Sequence, residues 1–193
     1  PGGRMLLWSE ARGQALAVYR FSSGLRVGLR DGIADMSGAA PGLEARLPLL
    51  AHFSKRALFV GTMHPETLQA AAESGVELSF YGPHPACAAA LAALMEGPPF
   101  ASNITASCGR LRPPQGPYDI VIVAIAAPFY EPTQALQATR SSARRWRGLM
   151  TPDGLLAWRL PTPVGWAATR RAVAALQAEF PVVAEAELGE GTL

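Results

Sequence analysis

Two cysteines, one lysine and no long apolar run bound what this chain can be. Cys87 and Cys108 are the only cysteines in 193 residues, too few and too far apart for a zinc motif or a disulfide framework. They are expected to be free thiols packed as small apolar groups. The longest strongly apolar run, Ile120 to Pro128, falls well short of the roughly 20 residues that a membrane helix requires. Pro1-Gly2-Gly3-Arg4 does not open like a signal peptide, because polar residues follow within a few positions. Lys55 is the sole lysine among 17 basic residues, which reads as coding bias. A net charge of +2 is too small to imply nucleic-acid binding. The expected location is the cytoplasm, or a soluble domain of a larger membrane protein.

What is present is a globular composition, with 49% hydrophobic and 17% charged residues, enough for a substantial core. Residues 5–36 read as β-structure. Leu16-Ala17-Val18-Tyr19-Arg20-Phe21 and Leu25-Arg26-Val27-Gly28-Leu29 flank Ser22-Ser23-Gly24 as a hairpin, and Asp31-Gly32 adds a second turn. Residues 37–43 are small and Pro/Gly-rich, hence a loop, and apolar spacing then predicts a helix from Leu43 to Phe53, blemished by Pro48.

From there the pattern alternates. Expected strands at 57–61, 76–81, 103–108, 119–126, 155–160 and 182–188 are separated by helices at 65–74, 84–96, 133–148 and 166–179. Thr151-Pro152-Asp153-Gly154 reads as a turn. Strands alternating with helices imply an α/β fold with a mostly parallel sheet and right-handed crossovers. The expected architecture is a Rossmann-like, methyltransferase-type domain over residues 43–193, preceded by a small β-region over 1–42.

Five segments, in order, carry a resemblance. They are Leu29-Arg30-Asp31-Gly32, the helix from Leu47 to His52, Val60-Gly61 with Thr67-Leu68, Tyr118-Asp119-Ile120-Val121-Ile122-Val123, and Leu149-Met150-Thr151-Pro152-Asp153-Gly154. Together they resemble the spermidine/spermine synthase family, the aminopropyltransferases. The corresponding family features are the LDG turn, a helix before the first strand, the GGGDGGTL loop, YDVIIVD and LKPGG. The resemblance implies a transferase of polyamine chemistry using decarboxylated S-adenosylmethionine, and it implies a homodimer.

The departures concern the acids. Where the resemblance implies loop glycines and an Asp, this chain has Thr62, Met63 and His64. Phe80-Tyr81-Gly82-Pro83-His84-Pro85 offers no carboxylate for the ribose hydroxyls, and Ser107-Cys108-Gly109-Arg110 none for the adenine. Ala124-Ile125-Ala126-Ala127-Pro128 stands where the family has the Asp thought to activate the attacking amine, so the base position reads Ala124. A general base contributes roughly 10²–10⁴ in rate, and an alanine supplies none of it. The family mechanism is therefore not expected here.

Gly61, Met63, His64, Gly82, His84 and Asp31 remain as the residues of a vestigial cofactor crevice. Each His follows an expected parallel strand at its carboxyl end, where such sheets place ligands. Alternatively, each merely precedes a Pro in a partly solvated loop. No metal-ligand spacing occurs, so no metal site is expected. Asp31 reads either as a contact to a substrate amine or as half of an Asp-Gly turn. Arg140, Arg144 and Arg147 recur at helical spacing, as a basic face or a solvated one. Phe129, Tyr130, Trp158 and Trp166 either line a pocket or belong to the core.

Three functions stay open. One is a spermidine synthase-like pseudoenzyme kept as a binding or interaction module, associated with a larger protein. Another is a divergent transferase still using S-adenosylmethionine or its decarboxylated form, a cofactor the missing carboxylates disfavour. The last is an oligomerisation domain without a ligand.

Overall fold

A computed structural model of the chain describes residues 3–11, 14–30, 33–34, 48–49, 54–61, 73–82, 84–95, 102–109, 113–124, 139–158 and 167–184. The β-region is a four-stranded antiparallel sheet in sequence order. It comprises β1 (Arg4–Ala11), β2 (Gln14–Arg20), β3 (Arg26–Arg30) and the two-residue β4 (Ile33–Ala34). The expected hairpin forms between β2 and β3, with Phe21 N–H donating to Leu25 C=O at 2.9 Å. β1 carries a bulge between Met5 and Leu7, which breaks its pairing register with β2.

A parallel sheet follows, with strands β5 (Arg56–Gly61), β6 (Glu77–Gly82), β7 (Ile104–Cys108), β8 (Tyr118–Ala124) and β9 (Met150–Trp158). Their spatial order is β7-β6-β5-β8-β9, so the chain winds outward from β5 in both directions. Side chains alternate across the strands, and both sides are covered. Ala57, Phe59, Phe80, Ile104 and Ile122 form one core cluster with Cys87 and Leu91 of helix α1 (Cys87–Met95). Leu58, Val60, Val121 and Val123 form the other with Trp146 of helix α2 (Arg140–Arg147). Burial on both faces explains the near-continuous apolar runs of β5 and β8. Helix α3 (Ala167–Gln177) completes the described elements. The antiparallel sheet lies on α1, where Arg26 Nη1 donates to Ala93 C=O and Gly28 packs beside Leu94.

Some boundaries differ from the sequence reading. α1 starts at Cys87, because residues 84–86 form a turn, with Cys87 N–H donating to His84 C=O at 3.1 Å. The Thr151–Gly154 turn is absorbed into β9. Tyr118 pairs with Met150 but Ile120 with Leu155, so the extra residues of β9 bulge out without ending the strand. Residues 182–184 are not in a strand, and 185–188 lie outside the described residues. So do most of the helices expected at 43–53 and 65–74 and the amino-terminal half of that at 133–148; Pro48-Leu49 and Glu73-Ser74 are helical.

Candidate functional site

In an open parallel sheet, ligands bind beyond the carboxyl ends of the strands, at the point where the winding reverses. Here that point lies between β5 and β8. Gly61, which ends β5, stands in register with Ala124, which ends β8. Gly61 has φ +127°, a conformation that strains any residue bearing a Cβ. One strand over, Gly82 ends β6 in register with Cys108, which ends β7.

The ground around Gly82 is tightly filled. Cys87 and Cys108 form a disulfide, joining the first residue of α1 to the last of β7. The expectation of two free thiols is therefore corrected: the crossover from β6 through α1 to β7 brings together residues 21 apart in sequence. A Cβ on Gly82 would overlap Cys87 Sγ, so only glycine fits beneath the bridge. Sequence reasoning missed this pair. Spacing alone carries no signal for it, because the partners meet only once the β6–α1–β7 crossover is built.

His84 is buried, with 7% of its surface exposed. The expectation of a partly solvated loop histidine is corrected accordingly. Its Nδ1 accepts the Ala86 N–H at 3.1 Å, which assigns the ring proton to Nε2. Nε2 is itself buried and has no hydrogen-bond partner among the described residues. The side chain thus holds the turn into α1 and presents a donor at the carboxyl end of β6. Asp31, Met63 and His64 lie outside the described residues, as do Phe129, Tyr130 and Trp166. The strands preceding His64 and His84 are neighbours, as expected. Trp158 packs against the cluster of Tyr118 and Trp146, which assigns it to the core.

Carboxylates are found elsewhere. Among the described residues, the acids are Glu10, Glu73, Glu77, Asp119, Asp153 and Glu179. Glu73 precedes β6, Glu77 and Asp119 lie at the amino ends of β6 and β8, and Asp153 is in the bulge of β9. None stands at the carboxyl end of β5, β6, β7 or β8. No group of three or more potential metal ligands forms among the described residues.

The arginines of α2 are largely engaged within the fold. Arg140 and Arg144 meet Glu179 at 2.7 and 3.0 Å. Arg147 donates to Pro152 C=O at 2.7 Å and lies over the Phe180 ring, while Arg145 lies over Trp146. The hydrogen bonds from Arg144 and Arg140 hold the Glu179 carboxyl below the usual carboxylate range.

A parallel sheet of strand order 3-2-1-4-5 behind an antiparallel sheet matches known structures. The fold is that of a spermidine synthase. A spermidine synthase in complex with the transition-state analogue AdoDATO superposes with a TM-score of 0.71 over 93% of this chain, at 15% identity. The spermidine synthase from Thermotoga maritima superposes with a TM-score of 0.70 over 93% of the chain, also at 15% identity. The chain spans 64% and 65% of those two proteins. No family model matches the sequence, and no curated protein does. Within the spermidine synthase fold, the ends of β6 and β7 are the places where the resemblance implies ribose- and adenine-binding acids. This chain has Gly82 and Cys108 there. No helix among the described residues is long and apolar enough to cross a membrane.

Proposed function

We propose that this chain is a spermidine synthase-like domain that has given up aminopropyl transfer and serves as a binding or interaction module. The observation that carries the reading is that β5, β6, β7 and β8 end at Gly61, Gly82, Cys108 and Ala124, none of them an acid. A polyamine substrate is cationic, and its attacking nitrogen must lose a proton before it can react. Carboxylates hold the charge and accept the proton. At the end of β8, Ala124 does neither. At the end of β6, the buried Nε2–H of His84 is a donor, whereas ribose hydroxyls held by an acid need an acceptor.

The antiparallel sheet supports the interaction role. Its face away from α1 carries two apolar rows across three strands, Met5-Tyr19-Val27 and Trp8-Ala17-Leu29, of which Met5 and Trp8 are exposed, Ala17 is buried and the rest are partly buried. Met5 is 52% exposed and Trp8 57%, where a solvated face normally alternates to polar residues. The partner proposed for this face is a second copy of the chain, in keeping with the dimers that the family resemblance implies.

The test is an assay of aminopropyl transfer from decarboxylated S-adenosylmethionine to putrescine. The expected result is no product above the uncatalysed background. Turnover at an enzymatic rate would overturn the reading and establish a divergent transferase.

A further inference from the structure

We propose that the Cys87–Cys108 disulfide is a redox latch on the crevice wall, closed in an oxidising compartment and opened by a dithiol reductant. The inference stands independently of whether the crevice binds a nucleoside.

The bridge closes one corner of the parallel sheet. It joins the start of α1 to the end of β7, and both flank Gly82 at the end of β6. Two main-chain hydrogen bonds reinforce the same corner. Gly109 N–H donates to Gly82 C=O at 3.0 Å, and Cys87 N–H to His84 C=O at 3.1 Å. His84 lies in the turn between Gly82 and Cys87, buried and with no partner for its Nε2–H among the described residues. A buried donor without a partner disfavours the closed packing. Loosening the corner would let that donor reach water, so cutting the bridge changes the environment of His84 before the sheet itself is disturbed.

The two sulfurs are not equivalent. Cys87 is 9% exposed and is the first residue of the nine-residue α1. Cys108 is only partly buried, at a strand end. Attack is therefore directed at Cys108 Sγ. A thiolate of the reductant forms a mixed disulfide there, and Cys87 leaves as a thiolate. The positive end of the α1 dipole stabilises that leaving group. The second thiol of the reductant then displaces Cys108, which departs as a thiolate and takes up a proton. The reductant is released as its own disulfide. Two electrons pass from the dithiol to the bridge, and no other co-reactant is required.

The experiment titrates the folded protein with a dithiol redox buffer and traps thiols by alkylation. In parallel, the His84 ring resonances and the amide exchange of Cys87 and Gly109 are followed by NMR. The latch predicts reduction without loss of the folded sheet, a shift of the His84 resonances, and amide exchange at both positions faster by about tenfold or more. The Cys87→Ser/Cys108→Ser double variant is expected to fold, to show the reduced-state spectrum, and to ignore the reductant. Reduction only under conditions that unfold the domain would overturn the proposal, because the bridge would then be a structural staple. An unfolded double variant would mean the same. Identical His84 resonances and amide exchange in the two redox states would also overturn it.

Discussion

One carboxylate oxygen of Asp119 accepts the main-chain N–H of Arg56 at 3.1 Å, and that of Lys55 at 2.8 Å. The Arg56 guanidinium in turn lies 5.2 Å from the centroid of the Tyr118 ring and donates to Pro117 C=O at 3.2 Å. Tyr118-Asp119 is one of the segments through which the chain resembles the aminopropyltransferases. Its work here is at the amino ends of β5 and β8, opposite the crevice. Hydrogen bonds to a charged acceptor contribute about 1.5–3 kcal/mol. Asp119→Ala is therefore expected to lower stability by about that much in urea denaturation. A loss below about 0.5 kcal/mol, the range of a featureless surface change, would contradict the assignment.

Phe59 is fully buried beside Phe80, with ring centroids 6.3 Å apart. Truncation leaves a cavity at the centre of the sheet, since β5 lies between β6 and β8. Phe59→Ala is expected to cost about 3–5 kcal/mol, and Phe59→Leu less, by denaturant titration. Equal costs for the two would indicate that the site collapses around the smaller side chain.

Glu179 ties α2 to the segment after α3 through Arg140 and Arg144. Hydrogen bonding to Arg144, then to Arg140, lowers its carboxyl below the ordinary value. The unfolded chain therefore takes up a proton at higher pH than the folded one. The contribution of this group is present above the unfolded carboxylate range, about pH 4, and is lost as pH falls through the lowered folded value. Both arginines are about two-thirds exposed, so the effect is modest and is screened by salt. Glu179→Gln is expected to flatten the acid limb of the Tm-versus-pH curve between pH 5 and about pH 3 and to leave the neutral limb parallel to wild type. An unchanged acid limb would contradict the assignment.

The outward face of the antiparallel sheet gives a further prediction. If Met5 and Trp8 form a contact between copies, Trp8→Ser weakens self-association without unfolding the sheet, because Trp8 is more than half exposed. Sedimentation velocity is expected to show wild type shifting to a dimer with concentration and the variant shifting less. A wild type that stays monomeric at high concentration would remove the second copy as the partner.

The parts of the fold that were legible in the sequence are those fixed by local pattern. β5 and β8 announce themselves because burial on two faces demands near-continuous apolar residues, and the Ser22-Ser23-Gly24 hairpin because its turn chemistry is local. The start of α1 is not fixed by sequence, because a proline and an alanine-rich run suit a helix at residue 84 as well as at 87. What decides is a local turn: His84 Nδ1 accepts the Ala86 N–H and its carbonyl accepts the Cys87 N–H. The Thr151–Gly154 segment has turn residues, but β9 resumes its pairing with β8 at Leu155 and carries them as a bulge. The disulfide was illegible for a similar reason. Its partners meet only once the β6–α1–β7 crossover is built, and spacing alone does not reveal that. Of the expected site residues, Gly61, Gly82, His84 and Ala124 do fall at the carboxyl ends of the sheet. The apolar outward face of the first sheet was hidden by the bulge in β1, which shifts Trp8 onto the side of Met5.

The measurement that tests the central claim most directly is isothermal titration of the domain with decarboxylated S-adenosylmethionine, with S-adenosylmethionine and methylthioadenosine as comparators. The account predicts no binding heat at millimolar ligand, because the strands end at Gly61, Gly82, Cys108 and Ala124, which supply no carboxylate to hold the nucleoside. Micromolar binding of any of the three would contradict it and show that the crevice at Gly61 and Gly82 holds a nucleoside through other contacts.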